Sequence, residues 1–330
     1  MASGRESLEI RRSTDADLGA AVELAAKALG WVPGKPNAEL FGWKHLDNPF
    51  GQSPMWLAVR DGQLVGFRAF LRWRFIRPDG SVARAVRAVD TATHPDFQGQ
   101  GIFTALTNAA VEEMRSEEID FVFNTPNDLS RPGYLKMGWS TVGHIPVRVR
   151  LRSPGAAWRV ARARVPAEKW SLPSKAGESA EAVLRDRDAV ASLLSECDLA
   201  TLYRTDRSVD YLAWRYRFAA LGYRAICVGG DARRGTCIFR VRRRGAATEA
   251  TVCELLVPGG QARLGQRLLS EVTRVTRADY LIWSGPRLPP SAGFIPLPRQ
   301  GPILTWRPLT QLVQPPLADW ALTLGDIELF

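Results

Sequence analysis

The stretch Thr91–Leu106, TATHPDFQGQGIFTAL, holds residues suited to gripping a diphosphate. Gly99 and Gly101, interleaved with Gln98 and Gln100, open directly into a run with apolar Phe103, Leu106, Ala110 and Met114 at helical spacing. A helix start carries unpaired N–H groups and the positive end of the macrodipole, so it attracts phosphate. Glycine there removes the Cβ atoms that would hold an anion off the backbone. A β-type run from Ala85 to Thr93 leads in through a Pro-containing turn. Strand, glycine turn and helix together make a cradle for a phosphate-bearing cofactor. It is not a Walker loop, because Ile102 follows Gly101 where Lys is needed. Nor is it a dinucleotide fingerprint, which needs three spaced glycines and an acidic residue about 20 positions on.

A second block follows the apolar run Ile119–Phe123 and reads NTPNDLSRPGYLKMGWSTVG. Gly138 suits the left-handed end of a short helix, and Trp139 can start the next strand. Taken together, Gln-Gly-x-Gly-Ile after His-Pro-x-Phe, then Asn127, Ser130, Tyr134, Lys136, Gly138 and Trp139, resemble the GCN5-related N-acetyltransferases (GNAT) over residues 8–150. The resemblance implies acetyl-CoA as cofactor. Thr91, Ala92 and Thr93 would meet its pantetheine arm. Gln98, Gly99, Gln100, Gly101, Ile102, Phe103 and Thr104 would meet its pyrophosphate, and Asn127 would also bind the cofactor. Phe103 departs from the many members with Gly or Ala there.

The implied reaction is acetyl transfer to a primary amine by direct attack, which needs no Cys or Ser nucleophile. The first half of the chain has no cysteine. By resemblance Tyr134 is the general acid toward the CoA sulfur; a phenol carries its proton at neutral pH. Asp90 lies in an otherwise apolar strand and, by alternation, faces away from Thr91 and Thr93. It is read either as the base, direct or through water, or as a structural carboxylate paired with an Arg. A third candidate is the terminal carboxylate of Phe330. N-myristoyltransferases and the enhanced-intracellular-survival acetyltransferases, which look like distant relatives, bring the chain end into the active site.

The positioning elements can also be read. LEIRRSTDADLGAAVELAAKAL gives a strand, a capped turn and an amphipathic helix, and WLAVRDGQLVGFRAFLRWRF gives a hairpin turning at Asp61-Gly62. The second half repeats the landmarks in order: Trp43-Lys44 with Trp214-Arg215, Gly66 with Gly235, Asp90 with Glu254. Its phosphate loop, near Gly259–Gly265, has lost the clean Gly-x-Gly turn, and its tyrosine block is missing. The expected fold is therefore α/β, with two tandem GNAT-like domains, each a mixed, mostly antiparallel sheet flanked by helices. The expected divisions are a catalytic domain at 1–150, a basic linker at 151–180 and a degenerate domain at 181–330.

The chain has 330 residues and a net charge of +10. Residues 1–150 hold 18 basic and 17 acidic residues; the remainder holds 26 and 17, so the basic excess lies in the linker and second half. No basic-aromatic RNA motif accompanies it, and no nucleic-acid partner is expected. No apolar run reaches the ~18 residues of a membrane span, and MASGRESLEI lacks a signal core. Cys197, Cys227, Cys237 and Cys253 have no metal-type spacing and read as buried, reduced thiols. The three histidines form no ligand pattern, and no metal is expected. These features point to a cytoplasmic protein; the internal duplication suits a monomer or homodimer, and the resemblance implies a small-molecule amine or amino sugar as acceptor. The alternatives are an aminoacyl-tRNA-dependent aminoacyltransferase on the same doubled fold, and a non-catalytic acyl-CoA-binding regulatory module.

Overall fold

The computed structural model describes residues 8–163, 165–197, 202–259, 261–285 and 292–328. The first half runs β1 (Glu9–Arg12), α1 (Leu18–Ala28), α2 (Asn37–His45), β2 (Met55–Arg60), β3 (Gln63–Ile76), β4 (Val82–Thr93), α3 (Ile102–Met114), β5 (Phe121–Asn124), α4 (Arg131–Lys136), β6 (Ser140–His144) and β7 (Val147–Leu151). After α5 (Pro154–Arg162) come β8 (Glu178–Ser179), α6 (Ala180–Leu184), α7 (Arg187–Glu196), β9 (Arg204–Thr205), α8 (Val209–Tyr216), β10 (Arg224–Cys227), β11 (Thr236–Arg244), β12 (Ala247–Leu256), α9 (Ala262–Thr276), β13 (Tyr280–Trp283), β14 (Ile295–Leu297), β15 (Ile303–Pro308) and α10 (Leu324–Ile327).

Two mixed sheets result. The first has the order β1-β2-β3-β4-β5-β15-β6, with β9 added beside β3; the second is β14-β7-β13-β12-β11-β10-β8. Only the β4–β5 and β12–β13 pairs are parallel among the described strands. This is the two-sheet architecture expected from the repeated landmarks. The halves also exchange strands. β15, from the end of the chain, lies between β5 and β6, while β7, from the first half, lies between β13 and β14.

Local chemistry explains the main elements. Asp61 and Gly62 take φ of 50° and 76°, the left-handed pair that lets β2 turn tightly into β3. The helical run after Gly101 becomes α3, which buries Ile102, Leu106, Ala110 and Met114 against the first sheet. α9 covers the second sheet in the same way, through Leu268, Leu269 and Val272. The other faces of the two sheets share one apolar core that includes Trp73, Phe121, Phe123, Tyr211, Ile238 and Trp320. Within it the repeated tryptophans meet. Trp43 and Trp214 stack with centroids 5.0 Å apart, and each indole donates to the other's backbone carbonyl at 2.8 and 2.9 Å.

In each sheet the parallel pair separates part-way along. β4 pairs with β5 from Ala85–Phe121 to Arg87–Phe123, then continues alone on that side to Thr93. A bulge at Asp90 assists the separation: Arg68 pairs with Thr91 and Ala69 with Val89, which leaves Asp90 between them at a φ of 34°. β12 leaves β13 after Val252 and bulges at Cys253. The second opening is filled by the chain's own tail. Ser284 Oγ donates to the Leu322 carbonyl at 3.3 Å, and the Thr323 hydroxyl reaches Glu254 at 3.4 Å. Gly325 passes so close to Cys253 that a Cβ there would stand 3.0 Å from the Cys253 carbonyl oxygen. Arg207 pins the segment by donating to Glu254 at 3.0 Å and Asp326 at 2.6 Å. Glu328 closes the tail against Arg240 at 2.8 Å and Tyr223 at 2.7 Å. From the first sheet, Arg87 donates to the carbonyls of Asp326 and Ile327.

Candidate active site

The first opening, where β4 parts from β5, is bordered by most of the residues singled out in sequence. Thr91, Ala92 and Thr93 lie on β4 beyond its parting from β5; Thr91 and Thr93 are half-buried and Ala92 is buried. The Thr91 hydroxyl donates to the Phe67 carbonyl at 3.2 Å. Gln98, Gly99, Gln100 and Gly101 form an exposed loop at its end. Gly99 and Gly101 take φ of 73° and 79°, and a Cβ on either would meet nothing within 4 Å. Open space thus lies before the loop backbone. Gly101 is the N-cap of α3 and supplies no side-chain acceptor, so the first-turn amides of Ile102, Phe103 and Thr104 lack a side-chain cap. Arg60 stands beside them, donating to Gln100 Oε1 at 2.5 Å. Glycine backbone, uncapped amides and an adjacent cation fit a diphosphate. His94 caps the preceding turn by accepting from the Asp96 amide at 3.3 Å, and its Nε2 lies 2.6 Å from Lys27.

Across the opening, Asn127 is exposed and its side-chain oxygen accepts from the amides of Leu129 and Ser130 at 3.1 and 2.9 Å, which shapes the turn into α4. Tyr134 on α4 is buried, edge-on to Phe103 at 5.5 Å and to Trp139 at 5.1 Å. Its hydroxyl oxygen accepts from Arg68 Nη2 at 2.7 Å. Arg68, the register partner of Thr91, also lies over the Phe103 ring at 5.4 Å.

Asp90 belongs to a different group. It forms an ion pair with Lys44 and a 2.7 Å hydrogen bond with His45 Nε2, both on α2. Burial acts to raise its proton affinity, but Lys44 and His45 win and hold the carboxyl far below the usual carboxylate range. Burial also pushes the His45 imidazole down, against the pull of Asp90. His45 Nδ1 lies 2.8 Å from Ser53 Oγ, so both ring nitrogens have partners. The partners of Asp90 are thus Lys and His, where one of the two readings from sequence had paired it with an Arg. Lys169, in the segment between the halves, bonds Asn37 at 3.1 Å; burial lowers its proton affinity, and Lys44 lowers it further. The second half repeats this contact: Tyr216, in the place of His45, donates to Glu254 at 3.0 Å. Phe330 lies outside the described residues.

Sequence reading missed Arg68, Arg60 and the His45–Asp90 contact. The repeated Trp43-Lys44 landmark was the one available signal, because it placed α2 beside the sheet. Among the described residues no cluster of His, Cys, Asp or Glu could hold a metal. No helix there is long and apolar enough to cross a membrane. All four cysteines are unpaired.

Residues 9–142 match the family model of the Acetyltransferase (GNAT) domain. No curated protein matches the sequence. Among solved structures, the chain is similar to a conserved protein of unknown function from Enterococcus faecalis V583, described as a probable N-acyltransferase. That likeness has a TM-score of 0.66 at 12% identity over 92% of this chain and 73% of the other. A GCN5-related N-acetyltransferase from Kribbella flavida gives 0.63 at 13% identity over 93% and 72%. Eis1 from Mycobacterium abscessus gives 0.58 at 15% identity over 92% and 74%. These likenesses concern the fold, whereas the family model bears on the segment carrying the cradle, Asp90 and Tyr134. Residues 9–142 of this chain are therefore an acetyltransferase (GNAT) domain, and the chain as a whole shares its fold with these N-acyltransferase structures.

Proposed function

We propose that the chain is an acetyl-CoA-dependent N-acetyltransferase that acetylates a small primary amine by direct attack. The observation that carries this reading is the uncapped, glycine-flanked start of α3 at the mouth of an opening that faces Tyr134. The amides of Gln98–Thr104, with Arg60 beside them, would hold the diphosphate. The β4 edge at Thr91–Thr93 and the turn at Asn127 would hold the pantetheine. Bound there, acetyl-CoA supplies an activated acyl group. Tyr134 offers the proton for the departing sulfur: its oxygen accepts from Arg68, so its own proton is free to be donated. A carboxylate held as far down as Asp90 takes a proton poorly. We therefore assign Asp90, with Lys44 and His45, to orienting the amine side of the cleft, and the amine's proton to water. The segment Trp31–Phe50 and Lys169 would border the acceptor. The second half acts as a scaffold whose own opening is closed by the tail. Unpaired cysteines suit a reducing, cytoplasmic setting, and the internal doubling suits a monomer or homodimer.

The test is incubation of the protein with acetyl-CoA and a panel of small primary amines. It follows release of free thiol and an acetylated product by mass spectrometry. Thiol release dependent on an amine is expected. CoA binding without turnover on any amine would favour a regulatory module. Transfer from aminoacyl-tRNA, with no CoA binding, would favour an aminoacyltransferase.

A further inference from the structure

We propose that Arg68 is a positioning residue that works through Tyr134, neutralising the negative charge that appears as the phenol gives up its proton. The inference rests on the reading of Tyr134 as proton donor.

Arg68 is completely buried on β3, with 0% exposure. Its Nη2 donates to Tyr134, while Nε and Nη1 are buried without a hydrogen-bond partner. Among the described residues no carboxylate forms an ion pair with it. Its guanidinium carbon instead lies 4.8, 5.4 and 5.3 Å from the ring centroids of Phe70, Phe103 and Tyr134. A buried guanidinium without a counter-charge is costly, and contacts with aromatic faces offset that cost only in part.

The doubled fold provides an internal comparison. Gly66 and Gly235 both lie beneath a covering helix, where an added Cβ would sit 2.7 Å from Ile102 of α3 or 3.4 Å from Leu264 of α9. Two residues along, on the same faces, stand Arg68 and Cys237, both fully buried. The sheet without a tyrosine helix places a small apolar thiol where the sheet with Tyr134 places a cation. Packing alone therefore does not require arginine there.

The charge balance explains the cost. As the amine nitrogen bonds to the acyl carbon and the C–S bond breaks, its electron pair goes to sulfur. The proton of Tyr134 Oη moves to that sulfur, and the phenol oxygen becomes negative beside Arg68 Nη2. Water then returns a proton to the oxygen as the amine releases its own. A cation uncompensated at rest and compensated during transfer favours the transition state over the ground state. This also gives Phe103, the departure from the usual small residue, a place as one wall of the cation's aromatic enclosure.

The experiment compares wild type, R68M, R68K, Y134F and R68M/Y134F. Calorimetry of CoA binding in two buffers of different ionisation enthalpy, at mildly alkaline pH, counts protons released. Wild type should release more than R68M, because the cation favours the negative charge shared by the thiol sulfur and the phenol oxygen, with R68K in between. In turnover, R68M should lower kcat roughly 10–100-fold while KM for acetyl-CoA changes less than about threefold. It should have no further effect in the Y134F background. Equal proton release by wild type and R68M, or losses that simply multiply in the double variant, would overturn the assignment. If R68M does not fold, R68K carries the comparison: kcat retained above Y134F supports the role, and kcat equal to Y134F opposes it. Absence of CoA binding by wild type would sink the transferase reading as well. Normal wild-type turnover with an unaffected R68M would sink only the role of Arg68.

Discussion

Replacing Gly101 by Glu should weaken CoA binding sharply through charge, and Gly101→Ala separates that effect from backbone strain. Gly101 has a φ of 79°, which costs an L-residue roughly 1–2 kcal/mol, equally in both variants. A Cβ meets nothing within 4 Å, so neither side chain collides with protein. Only Glu adds a negative charge at the cradle. At ~6 Å from a phosphate and an effective dielectric constant of ~20, one charge pair is worth about 3 kcal/mol, or roughly 100-fold in Kd. Ligand at ~100 times Kd stabilises the wild type by about 2.7 kcal/mol, and the same concentration acting on a 100-fold weaker site gives only ~0.4 kcal/mol. With 330 residues and about 2.1 cal/mol/K of unfolding entropy per residue, these become Tm shifts of about 4 °C and below ~1 °C. Differential scanning fluorimetry with and without CoA reads both. A full shift in G101E would show that the cofactor is not held at α3. A loss in G101A as large as in G101E would show that strain, not charge, governs the site.

Burial and Arg240 act on Glu328 in opposite directions, and Arg240, with Arg242 and Arg215, holds its carboxyl down to about 2 from an ordinary 4.5. That depression corresponds to roughly 3 kcal/mol of stability, fully present above about pH 4.5 and lost as pH falls toward 2. E328Q should remove that stability at neutral pH and flatten the acid limb in urea melts; an unchanged acid limb would refute it. His45 is lowered by burial, so the unfolded chain binds its proton first and stability should fall as pH drops below about 6.5. H45Q should lose this slope between neutral pH and about 5, measured as denaturant midpoints. CoA titration should give a stoichiometry of one per chain, because residues 322–326 fill the second opening; a second site of similar affinity would contradict the closed reading of that half.

The cradle was legible because each part is local. Glycines at left-handed positions, a helix period after Gly101 and the Asp61-Gly62 turn are written in adjacent residues. The repeat was legible for a related reason: Trp43 and Trp214 are large, rare side chains whose pairing forms part of the shared core. Arg68 was not legible. In LVGFRAFLRWRF an arginine every few positions reads as the solvated side of a strand. Its burial depends on Phe103 and Tyr134, which arrive 35 and 66 residues later. The strand exchange was hidden as well, since β7 and β15 have similar alternation and nothing local names their neighbours. The chain end was a candidate for the first site through the Phe330 carboxylate, whereas the described tail, up to Glu328, enters the opening of the second sheet.

The strand exchange has a consequence for biosynthesis. As the chain leaves the ribosome, β5 and β6 emerge with no strand to separate them, and β15 follows some 160 residues later. The first sheet cannot close until β15 has emerged, and its unfinished edges must be shielded until then. β7 waits likewise for β13. Gene fragments encoding either half should therefore yield insoluble product, while the two fragments expressed together can complete each other.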